Sequence, residues 1–167
     1  MIARRPLATS LLFVLAACSM RKPLEWPAVL AEVRSTHPTV NHLSVAELAR
    51  VLPLAHPVLL DARSRGAFET SHLPGAVLAP ELDSALEALS HAPNAPVVVY
   101  CSVGMRSSAL AEELVAHGYT SARNLEGGIF AWANAGQALA SESGLATKVH
   151  PFDRRWGTLL APERRAD

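Results

Sequence analysis

The chain has 167 residues with 15 Lys and Arg against 15 Asp and Glu, 12 Pro, 9 Gly and 2 Cys, and half of its residues are hydrophobic. That length holds one ordinary domain and little more, and the apolar half excludes wholesale disorder, because such a chain buries enough surface to offset its ordering entropy. Two cysteines exclude a disulfide-rich scaffold and a Cys-only metal site. Balanced charge with few aromatics and no dense Lys/Arg run argues against nucleic acid as a partner.

Met1-Ile2-Ala3-Arg4-Arg5 precedes a mostly apolar stretch from Leu7 to Ala17, and Cys18 follows. A short basic region before an apolar run too short to span a bilayer is the layout of an export signal. Leu15-Ala16-Ala17-Cys18 resembles the lipobox of bacterial lipoproteins, in which cleavage precedes a cysteine that carries lipid on its thiol. The resemblance implies a signal peptide over 1–17, lipidation at Cys18, and a protein held by lipid on the periplasmic side of the cell envelope. Ser19 after the lipidated cysteine favours the outer membrane in a Gram-negative cell. The alternatives are an ordinary cleaved signal with an incidental Cys18 and a plain hydrophobic N-terminal helix.

Residues 18–38 read as a lead-in broken early by Pro23 and Pro27, with Val29, Leu30 and Val33 at helical spacing. A domain is expected over 39–140, opening with a short strand near Thr39 to Leu43. Ser44-Val45-Ala46-Glu47 has the pattern of a capping box and starts a helix through Val45, Leu48, Ala49 and Leu52, which Pro53 is expected to stop. Strands are predicted at Pro57 to Asp61, Gly75 to Leu78, Pro96 to Tyr100 and Ala122 to Leu125. The first and third are branched apolar runs, as strands covered on both faces require. Helices are predicted from Glu81 to Leu89, from Ser107 to His117 closed by Gly118, and from Gly128 to Asn134 closed by Gly136. Strands alternating with short helices give an α/β domain with a five-stranded, mainly parallel sheet. The tail over 141–167 is punctuated by Gly and Pro and carries Arg154, Arg155, Arg164 and Arg165; Phe152 and Trp156 are expected to dock it.

The strongest chemical signal is Val97-Val98-Val99-Tyr100-Cys101-Ser102-Val103-Gly104-Met105-Arg106-Ser107-Ser108. A buried strand delivers Cys101 to the carboxyl edge of the sheet, where open α/β sheets bind ligands. A six-residue loop from Cys101 through Arg106, ending at a helix N-terminus, can turn several backbone N–H groups inward around the sulfur. Such a nest stabilises a thiolate, a persulfide or the oxyanion of a bound substrate. Gly104 supplies the backbone freedom the tight loop needs. The alternative for a lone cysteine is a small hydrophobe at a strand end. The histidines lack metal-ligand spacing, so no metal site is expected.

Three segments in order resemble the single-domain rhodaneses, a family of sulfurtransferases: Leu60-Asp61-Ala62-Arg63 continuing through Phe68 to His72-Leu73-Pro74-Gly75-Ala76; Tyr100-Cys101 to Arg106-Ser107; and Asn124-Leu125-Glu126-Gly127-Gly128-Ile129-Phe130-Ala131-Trp132. Ser71 departs from the pattern, where the family has Gly before the His. The resemblance implies a rhodanese-like fold in which Cys101 takes a sulfane sulfur as Cys–S–SH and passes it on. The amides of Ser102, Val103, Gly104, Met105 and Arg106 would stabilise the persulfide anion, with Ser107 completing the binding loop and Arg106 adding positive potential. Asp61 and Arg63 would form an ion pair that fixes the loops, His72 would bond the backbone at a turn, and Trp132 would pack between helix and sheet. The partners implied are a small sulfur donor (thiosulfate or a persulfide) and a thiol or cyanide-like acceptor, including a thiol-carrying protein, with no cofactor. Phosphatases and arsenate reductases that share this fold have one more residue between Cys and Arg than the four here, and a smaller cradle suits a sulfur atom better than a tetrahedral oxyanion. An inactive partner-binding module is the other alternative; such members often lack the cysteine. Thiosulfate-specific relatives often place a cation beside the nucleophile, where this chain has Ser102.

Overall fold

The computed structural model describes residues 23–90 and 95–167; the expected signal peptide and Cys18 lie outside them. The two branched apolar runs form β2 (Val58–Asp61) and β4 (Val97–Tyr100), and all four residues of β4 are buried. Around them lie β1 (Asn41–Leu43), β3 (Val77–Leu78) and β5 (Ala122–Leu125), giving the order β1-β5-β4-β2-β3 with every pair parallel.

Alternation along the strands splits the core between the faces of the sheet. Leu59, Val98, Tyr100 and Leu125 pack with Leu48, Ile129 and Phe130 on one face. Leu60, Val97, Val99 and Cys101 pack with Leu89, Leu110 and Leu114 on the other. The first face is covered by α1 (Trp26–Thr36), α2 (Val45–Ala55) and α6 (Gly128–Asn134), the second by α4 (Leu82–Leu89) and α5 (Met105–Ala116). Val29 and Val33 are the buried residues of α1, as their spacing requires.

The capping box at α2 forms: the Glu47 amide donates to Ser44 Oγ at 3.3 Å, and the Ser44 amide donates to Glu47 Oε2 at 2.9 Å. Pro53 does not end this helix. It removes one backbone donor, but the next bond survives, with the His56 amide reaching the Leu52 carbonyl at 3.3 Å and His56 closing the helix at φ 43°. Elements beyond expectation include the short helix α3 (Arg65–Thr70), an antiparallel hairpin of β6 (Leu139–Ser141) and β7 (Gly144–Ala146), and two 3-10 turns in the tail at Trp156–Leu159 and Pro162–Arg164. The hairpin is tied back by a bridge between His72 and Ala140.

The tail docks through Trp156 as expected, but not through Phe152. Val149, Leu159 and Leu160 are buried and Trp156 packs partly against them, whereas Phe152 is 55% exposed. Apolar aliphatics suit the interior contact, and the freed ring lies instead at the mouth of the cavity described below. Among the described residues no helix is long and apolar enough to cross a membrane.

Candidate active site

β4 ends at Tyr100, so Cys101 is the first residue beyond the carboxyl edge of the central strand. Its side chain is almost wholly buried, and Sγ accepts a hydrogen bond from the Gly104 amide at 3.2 Å. That bond needs the backbone to turn back within three residues, and Gly104 does so at φ 105°. The same glycine caps α5, which starts at Met105, two residues earlier than the sequence suggests. Ser108 then locks the turn, its amide and its hydroxyl both donating to the Gly104 carbonyl, at 3.2 and 2.7 Å. Sγ therefore lies against one backbone donor and beside the N-terminal end of a twelve-residue helix. Of the five loop amides expected to serve the sulfur, that of Gly104 reaches Sγ.

The loop is held from behind by α6. The Ile129 amide donates to the Cys101 carbonyl at 2.9 Å and the Phe130 amide to the Ser102 carbonyl at 3.1 Å. This approach leaves no room for a Cβ at Gly128, which would collide with both carbonyl oxygens. The Gly-Gly pair is therefore part of the site's construction.

Beneath the loop lies a buried polar chain. Ser107 Oγ donates to Asn124 Oδ1 at 2.7 Å, and Asn124 Nδ2 donates to His42 Nδ1 at 3.1 Å. Ser107 is thus turned away from the cavity, into the sheet, and acts on the loop by anchoring α5 to β5. His42 Nε2 is buried without a partner, and burial lowers the imidazole below its ordinary titration range. Asn124 stands within the motif quoted above, but its partner His42 had no sequence signal, since a single His in a short strand is uninformative.

Asp61 and Arg63 form a fully buried ion pair at the end of β2. Arg63 Nε donates to Asp61 Oδ1 at 2.9 Å and Nη2 to Oδ2 at 2.7 Å, while Nη2 also donates to the Ser71 carbonyl. Ser71 is extended, at φ −172°, a conformation open to any residue, so the departure from Gly does not strain the turn. Asp61 pairs in register with Tyr100, whose hydroxyl accepts from the Leu73 amide at 3.1 Å. Burial, and then the Asp61 charge, push the Tyr100 phenol well above its ordinary range. His72 stacks on Phe68 with ring centroids 3.9 Å apart, and its Nδ1 bonds the Phe68 carbonyl at 2.9 Å. Trp132 is buried and donates from Nε1 to the Ala138 carbonyl at 2.8 Å. Asp61, Arg63, His72 and Trp132 brace the site without lining its cavity.

A cavity of about 140 Å³ opens over Cys101. Ser102, Val103, Met105 and Arg106 form one side of it, and the tail supplies the other with Phe152 and Trp156. Arg106 is exposed, its guanidinium carbon 5.6 Å from the centre of the Phe152 ring. The arrangement presents a thiol sulfur, an amide directed at it, and a cation at the rim.

Comparison with known proteins agrees with this geometry. The family model described as Rhodanese-like domain matches residues 44–135. Thiosulfate sulfurtransferase GlpE of Pseudoalteromonas translucida is 27% identical over 92 residues, which cover 55% of this chain and 88% of the relative. A tRNA uridine(34) hydroxylase of Pectobacterium carotovorum is 27% identical over 112 residues, covering 64% of this chain and 32% of the relative. The chain thus spans about a third of that enzyme's length. Among solved structures, a thiosulfate sulfurtransferase from Pseudomonas aeruginosa superposes with TM-score 0.59 at 24% identity, over 80% of this chain and 26% of that one. A rhodanese-related protein from Thermoplasma volcanium superposes with TM-score 0.54 at 22% identity, over 61% of this chain and 99% of that one. These two likenesses concern the fold, a five-stranded parallel sheet flanked by helices.

Proposed function

Because this chain belongs to the rhodanese-like domain family, we propose that it is a sulfurtransferase working through a persulfide on Cys101. The Cys101 thiolate attacks the sulfane sulfur of a donor, a new S–S bond forms, and the donor's own bond to that sulfur breaks with its electron pair leaving on the departing group. The departing group is sulfite from thiosulfate and a thiolate from an organic persulfide. A thiophilic acceptor, a thiol or cyanide or a thiol-carrying protein, then removes the outer sulfur and regenerates the thiolate.

The observation that carries this reading is the six-residue loop, in which the Gly104 amide meets Sγ at 3.2 Å on the floor of a small cavity. There is room for one added sulfur beside the amide and the start of α5, whose partial positive charge suits Cys–S–S⁻. Arg106 adds positive potential at the mouth. Asp61, Arg63 and His72 support the loops, and Ser107 acts through Asn124. The likeness to GlpE over nearly the whole of that relative supports the same reading.

We place the protein outside the cytoplasm, lipid-anchored through Cys18 on the periplasmic side of the envelope after loss of residues 1–17. Residues 39–140 form the catalytic domain and 141–167 its docked tail. Conversion of cyanide to thiocyanate with a sulfane donor tests the activity, and Cys101→Ser should abolish it. Cys101-dependent hydrolysis of an aryl phosphate without acceptance of sulfur would overturn it. Cys18→Ser should release the protein from the membrane fraction.

A further inference from the structure

The cavity over Cys101 is bounded on one side by a segment outside the region matched by the family, and that segment gives it an aromatic wall. Phe152 and Trp156 face the catalytic loop from the tail, opposite Val103 and Met105. Phe152 reaches this position at a conformational cost. Its φ is 66°, the left-handed region that a bulky L-residue rarely adopts. The surrounding turn holds it there: the Phe152 amide donates to His150 Nδ1 at 3.1 Å, the Asp153 amide to the Pro151 carbonyl at 2.9 Å, and the Trp156 amide to Asp153 Oδ1 at 2.8 Å. A strained residue that leaves an aromatic ring 55% exposed beside a nucleophile gains nothing in core packing.

We propose that Phe152 and Trp156 are specificity-determining residues that select, as sulfur donor, an organosulfur compound with an apolar carbon group next to its sulfane sulfur, in preference to inorganic thiosulfate. This rests on the sulfur-transfer reading and names the substrate class for it. Thiosulfate is a dianion, and once its sulfane sulfur meets Sγ its sulfonate must lie against the wall of the cavity. That wall is largely apolar, and Arg106, the cation lining it, is set against the Phe152 ring. Desolvating a second negative charge there is unfavourable. A thiosulfonate, R–SO₂–S⁻, carries one negative charge, on the part that faces the loop amide, and lays R on the aromatics. Transfer is balanced: Cys–S⁻ and R–SO₂–S⁻ give Cys–S–S⁻ and the sulfinate R–SO₂⁻, with the electron pair of the broken S–S bond leaving on the sulfinate.

The test compares kcat/KM for benzenethiosulfonate and thiosulfate, with cyanide as acceptor, in the natural protein and in Phe152→Asn and Phe152→Gly. Both replacements fit a positive φ, so the turn survives loss of the ring. The natural protein should prefer benzenethiosulfonate by about tenfold, the size of discrimination that apolar pocket contacts give, and both variants should lose most of that preference. A preference for thiosulfate, or an unchanged ratio in both variants, would overturn this inference while leaving sulfur transfer intact. Turnover of neither donor would overturn the sulfur-transfer reading and this inference with it.

Discussion

Cys101 and Ile129 are joined through their backbones: the carbonyl of the first accepts the amide of the second at 2.9 Å, across a gap that the missing Cβ of Gly128 leaves open. The Cys101 peptide unit is thus held by the start of α6, and the geometry of the sulfur depends on a glycine 27 residues downstream.

Gly128→Ala should therefore be among the most damaging small substitutions. It forces a methyl against two carbonyl oxygens and places an L-residue at φ 54°. Left-handed geometry costs about 1–2 kcal/mol and overpacking about 1–3 kcal/mol, so urea denaturation should show a loss on the order of 3 kcal/mol. A loss below about 0.5 kcal/mol would mean that α6 does not hold the loop as described.

Arg63→Met tests the brace beneath β2. The substitution removes the guanidinium from a carboxylate that has no access to water and frees the Ser71 carbonyl. Leaving one member of a buried pair alone costs about 3–5 kcal/mol, and the denaturation midpoint should fall accordingly with an unchanged m-value. A nearly neutral variant would show that Asp61 finds another partner.

Stability should depend on pH through His42. Its folded titration point is lowered by burial, against which the Glu126 charge and a hydrogen bond to the His37 backbone work, with the charges of Arg34 and His37 adding smaller downward contributions. The unfolded chain therefore binds the proton more readily than the folded one. The full stability is present above the ordinary value near 6.5, where both states are neutral, and is lost as pH falls from there through the lowered folded value. Structurally, a proton on Nδ1 removes the acceptor of the Asn124 bond. Glu47 and Glu112, both lowered by their hydrogen-bond partners, lose their contributions in a separate window below about 4.5. His42→Gln should thus show a smaller fall in Tm than the natural protein between about pH 7.5 and about pH 5.5. Equal falls in the two proteins would remove His42 as the source.

Arg106→Ala should slow the reaction without stopping it, because the Gly104 amide and the start of α5 remain. Loss of focused charge at a cleft lowers capture of an anionic donor by about tenfold or more. The rate of the natural protein, and less so that of the variant, should decline with added salt. Identical rates and salt dependence would remove Arg106 from this role.

Much of this site was legible in the sequence because its parts are local. Val97 to Tyr100 reads as a covered strand, and the residues from Cys101 to Arg106 read as a loop closed by a helix, since a strand end, a glycine and a helix start specify one another over short distances. The Ser44–Glu47 box is legible for the same reason. Other features depend on distant partners. Pro53 looks like a stop until the His56 bond is seen to close the helix beyond it. The hairpin of Leu139–Ser141 and Gly144–Ala146 is too short and too poor in branched residues to declare itself, and it forms against His72. Phe152 looks like a docking residue from its type alone, and only the fold shows Val149, Leu159 and Leu160 taking that place while the ring turns to the cavity.

The most direct test of the central claim is intact mass spectrometry of the domain, starting after Cys18, before and after incubation with a sulfane donor. The account predicts a gain of one sulfur that is reversed by reductant and absent in Cys101→Ser. A folded protein with a reduced Cys101 thiol that gains no sulfur from thiosulfate, a thiosulfonate or an organic persulfide would contradict it.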